Sequence, residues 1–239
     1  MEQEVKPMGE QQRVVVLSGA GISAESGIKT FRGSDGLWEG HNVMEVASPE
    51  GFARNPELVL HFYNLRRAQL REVEPNEGHR ALARLESHYQ VQVITQNVDD
   101  LHERGGSSEV LHLHGELRKA RSIEDSELIV DWLDDLNLGD LGPDGAQLRP
   151  HIVWFGESVP LIQEAAHLVA GADRLIVVGT SLQVYPAAGL IELAPRGCPV
   201  TLIDPSTPEL PFGLDVELIN EPATIGLPRL VDQLLAEAH

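Results

Sequence analysis

Twice in this chain a short run of β-branched and aliphatic residues stops abruptly in a glycine turn. Arg13-Val14-Val15-Val16-Leu17 enters Ser18-Gly19-Ala20-Gly21, and residues 175–178 enter Gly179-Thr180-Ser181. Each pair reads as a buried strand followed by a tight turn. Similar apolar runs occupy residues 91–94, 110–113, 152–155 and 200–203. Helix-like stretches separate several of them: residues 56–71, 79–89, 161–170 and 227–238. In the second of these, Ala81, Leu82 and Leu85 share one face. Strands alternating with helices predict an α/β fold around a parallel sheet.

At 239 residues the chain suits one large domain, or one carrying an inserted module, with a sizeable core. It has 18 basic and 37 acidic residues, a formal charge of -19. That excludes broad binding to nucleic acid or anionic membranes and favours basic partners, a lysine-rich protein surface among them. Solubility alone is the plainer account of the charge. Residues 1–13 lack the apolar core of a signal peptide, and no apolar run approaches the roughly 18 residues of a membrane span. The expected location is cytoplasmic. The single cysteine, Cys198, allows neither a disulfide framework nor a cysteine zinc cage, and reads as a packing residue.

Residues 122–147 break the pattern, with eight acids and no Lys, Arg, His or Cys. They read as the variable part of a small inserted module with some regular structure near 129–133. Trp132, Leu133, Leu136, Leu138 and Leu141 are its candidate core.

Gly19-Ala20-Gly21 after a strand suits close approach of backbone to a pyrophosphate. A lone Gly-x-Gly is also an ordinary strand–helix turn. An ordinary dehydrogenase is disfavoured, because no strand-ending acid follows about 20 residues later. Asp35 and Glu39 lie near that distance, but in a Gly-rich segment. Asp204 does end a strand-like run, and could hold the adenosine ribose.

The turn continues as Gly27-Ile28-Lys29-Thr30-Phe31-Arg32. Then come Thr95-Gln96-Asn97-Val98-Asp99, His114-Gly115, Phe155-Gly156-Glu157 and Gly179-Thr180-Ser181. This ordered set, spanning about residues 14–223, resembles the sirtuin family. The resemblance implies a single catalytic domain. Its Rossmann-like part would cover about 10–38, 75–115 and 150–239, and its small module about 39–74 and 116–149. NAD and an acyl-lysine peptide would lie between the two, in a protein expected to be a monomer. Gly19, Ala20, Gly21, Ser23, Glu25, Thr30, Phe31, Arg32 and Trp38 would wrap the pyrophosphate and nicotinamide ribose. Gln96, Asn97, Val98 and Asp99 would take the nicotinamide end. Gly179, Thr180 and Ser181 would line the other side of the phosphates, with Asp204 on the adenosine ribose and Ala223 against adenine. Val153, Phe155, Gly156 and Glu157 would pair with the substrate backbone.

The family reaction moves the acyl group from lysine to ADP-ribose as nicotinamide leaves. It needs a base that titrates near neutrality. His112 and His114 share a strand face. The resemblance selects His114, immediately before the glycine, with Asn97 as its catalytic partner. Tyr63 and Arg66 are three apart on a helix and share a face, where a hydroxyl and a guanidinium can hold a carboxylate. Tyr-x-x-Arg resembles the branch that removes succinyl, malonyl or glutaryl groups. Thr30, in place of Asp, and the small Ala47 agree with it, while Arg67 should face elsewhere. Acetyl-lysine is expected to be accepted as well.

The chain departs from the family at the zinc site. Most sirtuins carry four cysteines between the His-Gly and Phe-Gly-Glu blocks. This chain has none there, Ser122 stands near the first position, and no metal is expected. Two other functions stay open. NAD hydrolysis or ADP-ribosyl transfer would use the same base but would not need Tyr63, Arg66 or residues 155–157. A non-enzymatic NAD sensor would not need the intact catalytic blocks.

Overall fold

The computed structural model describes residues 11–29, 37–206, 208, 210 and 213–238. Thr30, Phe31 and Arg32, expected against the cofactor, lie outside the described residues. From the N-terminus the elements are β1 (Arg13–Ser18), α1 (Gly21–Ala24), β2 (Leu37–Trp38), β3 (His41–Asn42), α2 (Val43–Val46), α3 (Pro49–Arg54) and α4 (Pro56–Leu70). Next come α5 (Glu77–Leu85), β4 (Gln90–Thr95), α6 (Leu101–Gly105), β5 (Val110–His112), β6 (Gly115–Ser122), β7 (Ile129–Asp131) and β8 (Leu148–Ile152). The last are α7 (Ile162–Ala170), β9 (Arg174–Val178), β10 (Val200–Ile203), β11 (Val216–Ile219) and α8 (Ala223–Glu237).

Among the described residues, six strands form a Rossmann-like sheet in the order β11-β10-β9-β1-β4-β5, and every pairing is parallel. Helices cover both faces, so β1 is an unbroken apolar run rather than an alternating one. Strand alternation sorts its side chains. Val14 and Val16 pack with α5 and α8, while Val15 and Leu17 pack with α7 and the 3₁₀ helix Ala187–Leu193. α5 begins with a reciprocal cap, in which Asn76 Oδ1 accepts from Gly78 N and Asn76 N donates to His79 Nδ1.

β7, β6 and β8 form a small antiparallel sheet beside α4. Here the expected strand at 152–155 is corrected. The strand is β8, which ends at Ile152 and pairs with β6, and neither belongs to the parallel sheet. The expected small core is also corrected. Leu136 is buried, Trp132 is half-buried, and Leu133, Leu138 and Leu141 are exposed. The true cluster is Leu60, Ala120, Leu136 and Leu148, drawn largely from α4, β6 and β8. The short 122–147 segment spends its length on turns, such as Asn137 N donating to Asp140 Oδ2. That leaves one leucine to reach inward.

Candidate active site

Strand order reverses at β1. β4 and β5 follow on one side, and β9, β10 and β11 lie on the other. A parallel sheet opens its ligand crevice at the carboxyl ends of the strands flanking such a point. Here these ends carry the two glycine turns. Gly19 N donates to Val178 O at 3.0 Å and Gly21 N to Gly179 O at 2.8 Å. A Cβ on Gly179 (φ +62) would lie 2.3 Å from Ile22 N, and one on Gly21 would lie 2.6 Å from Gly179 Cα. The glycines thus let the two turns brace each other, a packing reason beyond ligand approach.

The crevice widens into a cleft of about 960 Å³. The first turn lines it with Gly19, Ala20, Gly21, Ser23 and Glu25, the segment after β4 with Gln96, Asn97, Val98 and Asp99. Gly179, Thr180 and Ser181 follow from β9, Asp204 from β10, and Ala223 from the start of α8. Trp38, Ala47, Tyr63 and Arg66 face it, as do His114, Val153, Phe155, Gly156 and Glu157. Every described residue expected from the sequence therefore meets in one cavity. Arg67 does not. It is buried behind the helix, donating through Nε to Leu117 O and through Nη1 to Asn64 Oδ1.

The floor is a buried polar network. Ser23 Oγ donates to Asp99 Oδ2 at 3.0 Å and accepts from Asn97 Nδ2 at 3.2 Å, and Asn97 Nδ2 also reaches Gly19 O. Burial pushes Asp99 up to about 6, against hydrogen bonds from Leu101 N and Ser23. Behind this layer lie two residues the sequence reading passed over. His79 Nε2 sits 3.5 Å from Ser23 Oγ, and His102 Nε2 sits 2.9 Å from Ser18 Oγ. Burial holds His79 down to about 4 and His102 well below the usual range, so both are neutral. A histidine on the apolar face of α5 was the available signal.

The two candidate histidines differ sharply. His114 Nδ1 donates to Gln96 O at 3.1 Å, which leaves the Nε2 lone pair as an acceptor at the cleft. Burial lowers its pKa, only partly offset by that hydrogen bond. His112 is engaged at both nitrogens, with Asn97 O at 3.1 Å and Glu103 Oε1 at 2.7 Å. Burial opposes charge there, yet the Glu103 carboxylate prevails and the His112 pKa is raised.

At the other wall α4 presents Tyr63 and Arg66. Tyr63 is fully buried, and its hydroxyl accepts from Trp154 Nε1 at 2.9 Å. Arg66 stacks over Phe62 at 4.3 Å, and its Nε and Nη1 are buried without a hydrogen-bond partner among the described residues. Burial lowers its pKa, with Glu39 opposing; Glu39 itself is paired with Lys29 at 3.0 Å. The segment after β8 is tied down. Val153 N donates to His114 O and Phe155 N to Ala47 O. Glu157 accepts from Arg121, Arg149 and Trp154 N.

The donors near Ser122 do not suit a zinc ion. Ser122 Oγ donates to Asp144 Oδ2 at 2.5 Å and accepts from Glu124 N and Asp125 N. Among the described residues no group of three His, Cys, Asp or Glu is placed to hold a metal. No described helix is long and apolar enough to cross a membrane.

The family model described as the Sir2 family matches residues 19–186, well over half the chain. A protein from Helicobacter pylori named NAD-dependent protein deacylase is 59% identical over 227 residues, covering 95% of this chain and 99% of its own. One of the same name from Bacteroides thetaiotaomicron is 50% identical over 231 residues, covering 94% and 98%. Among solved structures, a complex of a Sir2 homolog with NAD superposes with a TM-score of 0.85 at 39% identity, covering 96% of this chain and 92% of that one. A Sir2 complex with p53 peptide and NAD⁺ gives 0.75 at 31%, covering 95% of each. By sequence, fold and the makeup of its cleft, the chain belongs to the Sir2 family of NAD-dependent protein deacylases.

Proposed function

We propose that this NAD-dependent deacylase acts on lysines bearing acidic acyl groups, succinyl and malonyl, and also accepts acetyl. The carrying observation is Arg66. A guanidinium with two buried donor atoms that have no partner among the described residues is costly, and a carboxylate arriving beside the Tyr63 hydroxyl would satisfy both.

The donor set fits NAD, with backbone at the glycine turns, the Asp204 carboxylate beside Ala223, and Ser23, Asn97 and Asp99 at the opposite end. When bound, NAD supplies the ribose carbon that accepts the acyl-lysine oxygen as nicotinamide departs. His114 Nε2, held open by the bond from Nδ1 to Gln96 O, takes the ribose hydroxyl proton. Asn97 and Asp99, locked through Ser23, orient the ribose and carboxamide end. Ala47 leaves room for the acyl chain, and residues 153–157 present the peptide. The reading includes a small sheet that holds together without metal, since Ser122 is committed to Asp144.

The test is turnover of matched acetyl, succinyl and unmodified peptides with NAD, followed by mass spectrometry. Arg66→Ala should cost succinyl turnover at least tenfold more than acetyl. Equal losses would sink the pocket assignment, and nicotinamide release without peptide turnover would favour NAD hydrolysis.

A further inference from the structure

Trp154 lies between Val153 and the Phe-Gly-Glu block, yet its side chain points to the acyl end. The indole is almost fully buried. An indole N–H can only donate, so in the 2.9 Å contact with Tyr63 the phenolic oxygen must accept. That choice has a consequence for Tyr63. With its oxygen accepting from Trp154, the phenolic hydrogen must point elsewhere, and none of the described residues accepts it. The surroundings are apolar rings: Trp38 at 6.1 Å, Phe62 at 5.2 Å and Trp154 at 6.4 Å between centroids. The indole in turn is clamped. The Arg149 guanidinium lies 3.3 Å from the Trp154 ring centroid, and Glu157 holds Arg149 through two bonds, at 2.7 and 3.1 Å. Glu157 also accepts from Trp154 N at 2.8 Å, so ring and backbone are fixed by the same carboxylate.

We propose that Trp154 is a specificity-determining positioning residue, whose indole N–H forces the Tyr63 hydroxyl to act as a donor toward an acidic acyl group. This rests on the reading that Tyr63 and Arg66 receive that group. An acetyl methyl would leave the Tyr63 hydrogen and the Arg66 donors without partners. A carboxylate satisfies both, and sites built to hydrogen-bond a substrate discriminate strongly against analogues that cannot respond. Without the indole donor the Tyr63 hydroxyl can turn and lose its aim.

The experiment compares Trp154→Phe, which keeps a ring against Arg149, with Tyr63→Phe, Arg66→Ala and the Trp154→Phe/Tyr63→Phe pair, on succinyl and acetyl peptides. Trp154→Phe should lower the succinyl-to-acetyl ratio of kcat/KM about tenfold, through KM rather than kcat. The pair should lose no more than Tyr63→Phe alone. A second readout uses the unaltered enzyme. The Trp154 indole proton should move downfield in NMR when succinyl peptide binds, and not when acetyl peptide binds, because chained hydrogen bonds strengthen one another. If Arg66→Ala and Tyr63→Phe lose succinyl selectivity while Trp154→Phe keeps it, or if the indole proton responds alike to both peptides, the positioning role is wrong. If Arg66→Ala and Tyr63→Phe leave the ratio unchanged, the acidic-acyl reading itself has failed.

Discussion

His114 keeps its Nδ1 proton on a backbone carbonyl, and burial holds its pKa below 6.5. A base with a lowered pKa stays competent into mildly acidic solution. The acid limb of kcat/KM attributable to His114 should therefore inflect below pH 6.5, and His114→Ala should lower kcat by about 10² to 10⁴. Release of deacylated peptide across pH checks both. The buried histidines also tie stability to pH. His79 titrates near 6.5 when unfolded and near 4 when folded, so its stability contribution is intact above pH 6.5 and lost as pH falls toward 4. That shift corresponds to about 3 kcal/mol. His151, also held near 4, acts in the same direction. Asp99, raised to about 6, opposes them between roughly pH 4 and 6. The histidines outnumber it, so the melting temperature should drop between pH 6.5 and 4.5. A flat or rising profile would contradict the neutral buried state of these rings.

Among the elements, the small sheet is the least self-sufficient. Its apolar cluster is four buried residues, and polar ties supply much of its definition. Asn64 Nδ2 donates to Leu136 O, and Asn64 Oδ1 accepts from Leu136 N, pinning the long loop to α4. Ser122, buried at the end of β6, joins the loop start to Asp144 and caps two backbone donors. Ser122→Ala should cost about 1–3 kcal/mol in denaturant unfolding by leaving those N–H groups unsatisfied. A metal chelator should leave the melting temperature unchanged. A large chelator effect would mean that a metal holds this region after all. The buried strand runs of the large sheet were legible, while β6 and the half-exposed edge strand β11 were not. Buried parallel strands announce themselves as apolar runs, whereas Gly115–Ser122 is half polar and becomes a strand only through its partners β7 and β8.

For the whole molecule, a charge of -19 sets a field that draws in basic polypeptide. KM for a lysine-rich acylated peptide should rise as salt goes from low to several hundred millimolar, while KM for a peptide with neutral flanks should move little. Equal salt dependence would reduce the charge to a solubility device. The sequence by itself determined five of the six described strands of the large sheet and the two glycine turns, because each is a local pattern, and through the family resemblance it pointed to His114, Asn97, Tyr63 and Arg66. The tertiary structure alone decided which polar atoms are satisfied. It gave His112 to Glu103 and left His114 Nε2 open. It placed His79 and His102 beneath Ser23 and Ser18, exposed Leu133, Leu138 and Leu141, and set Trp154 against Tyr63. Burial and hydrogen-bond satisfaction depend on residues tens of positions away, such as the 91 that separate Tyr63 from Trp154, and no local pattern encodes them.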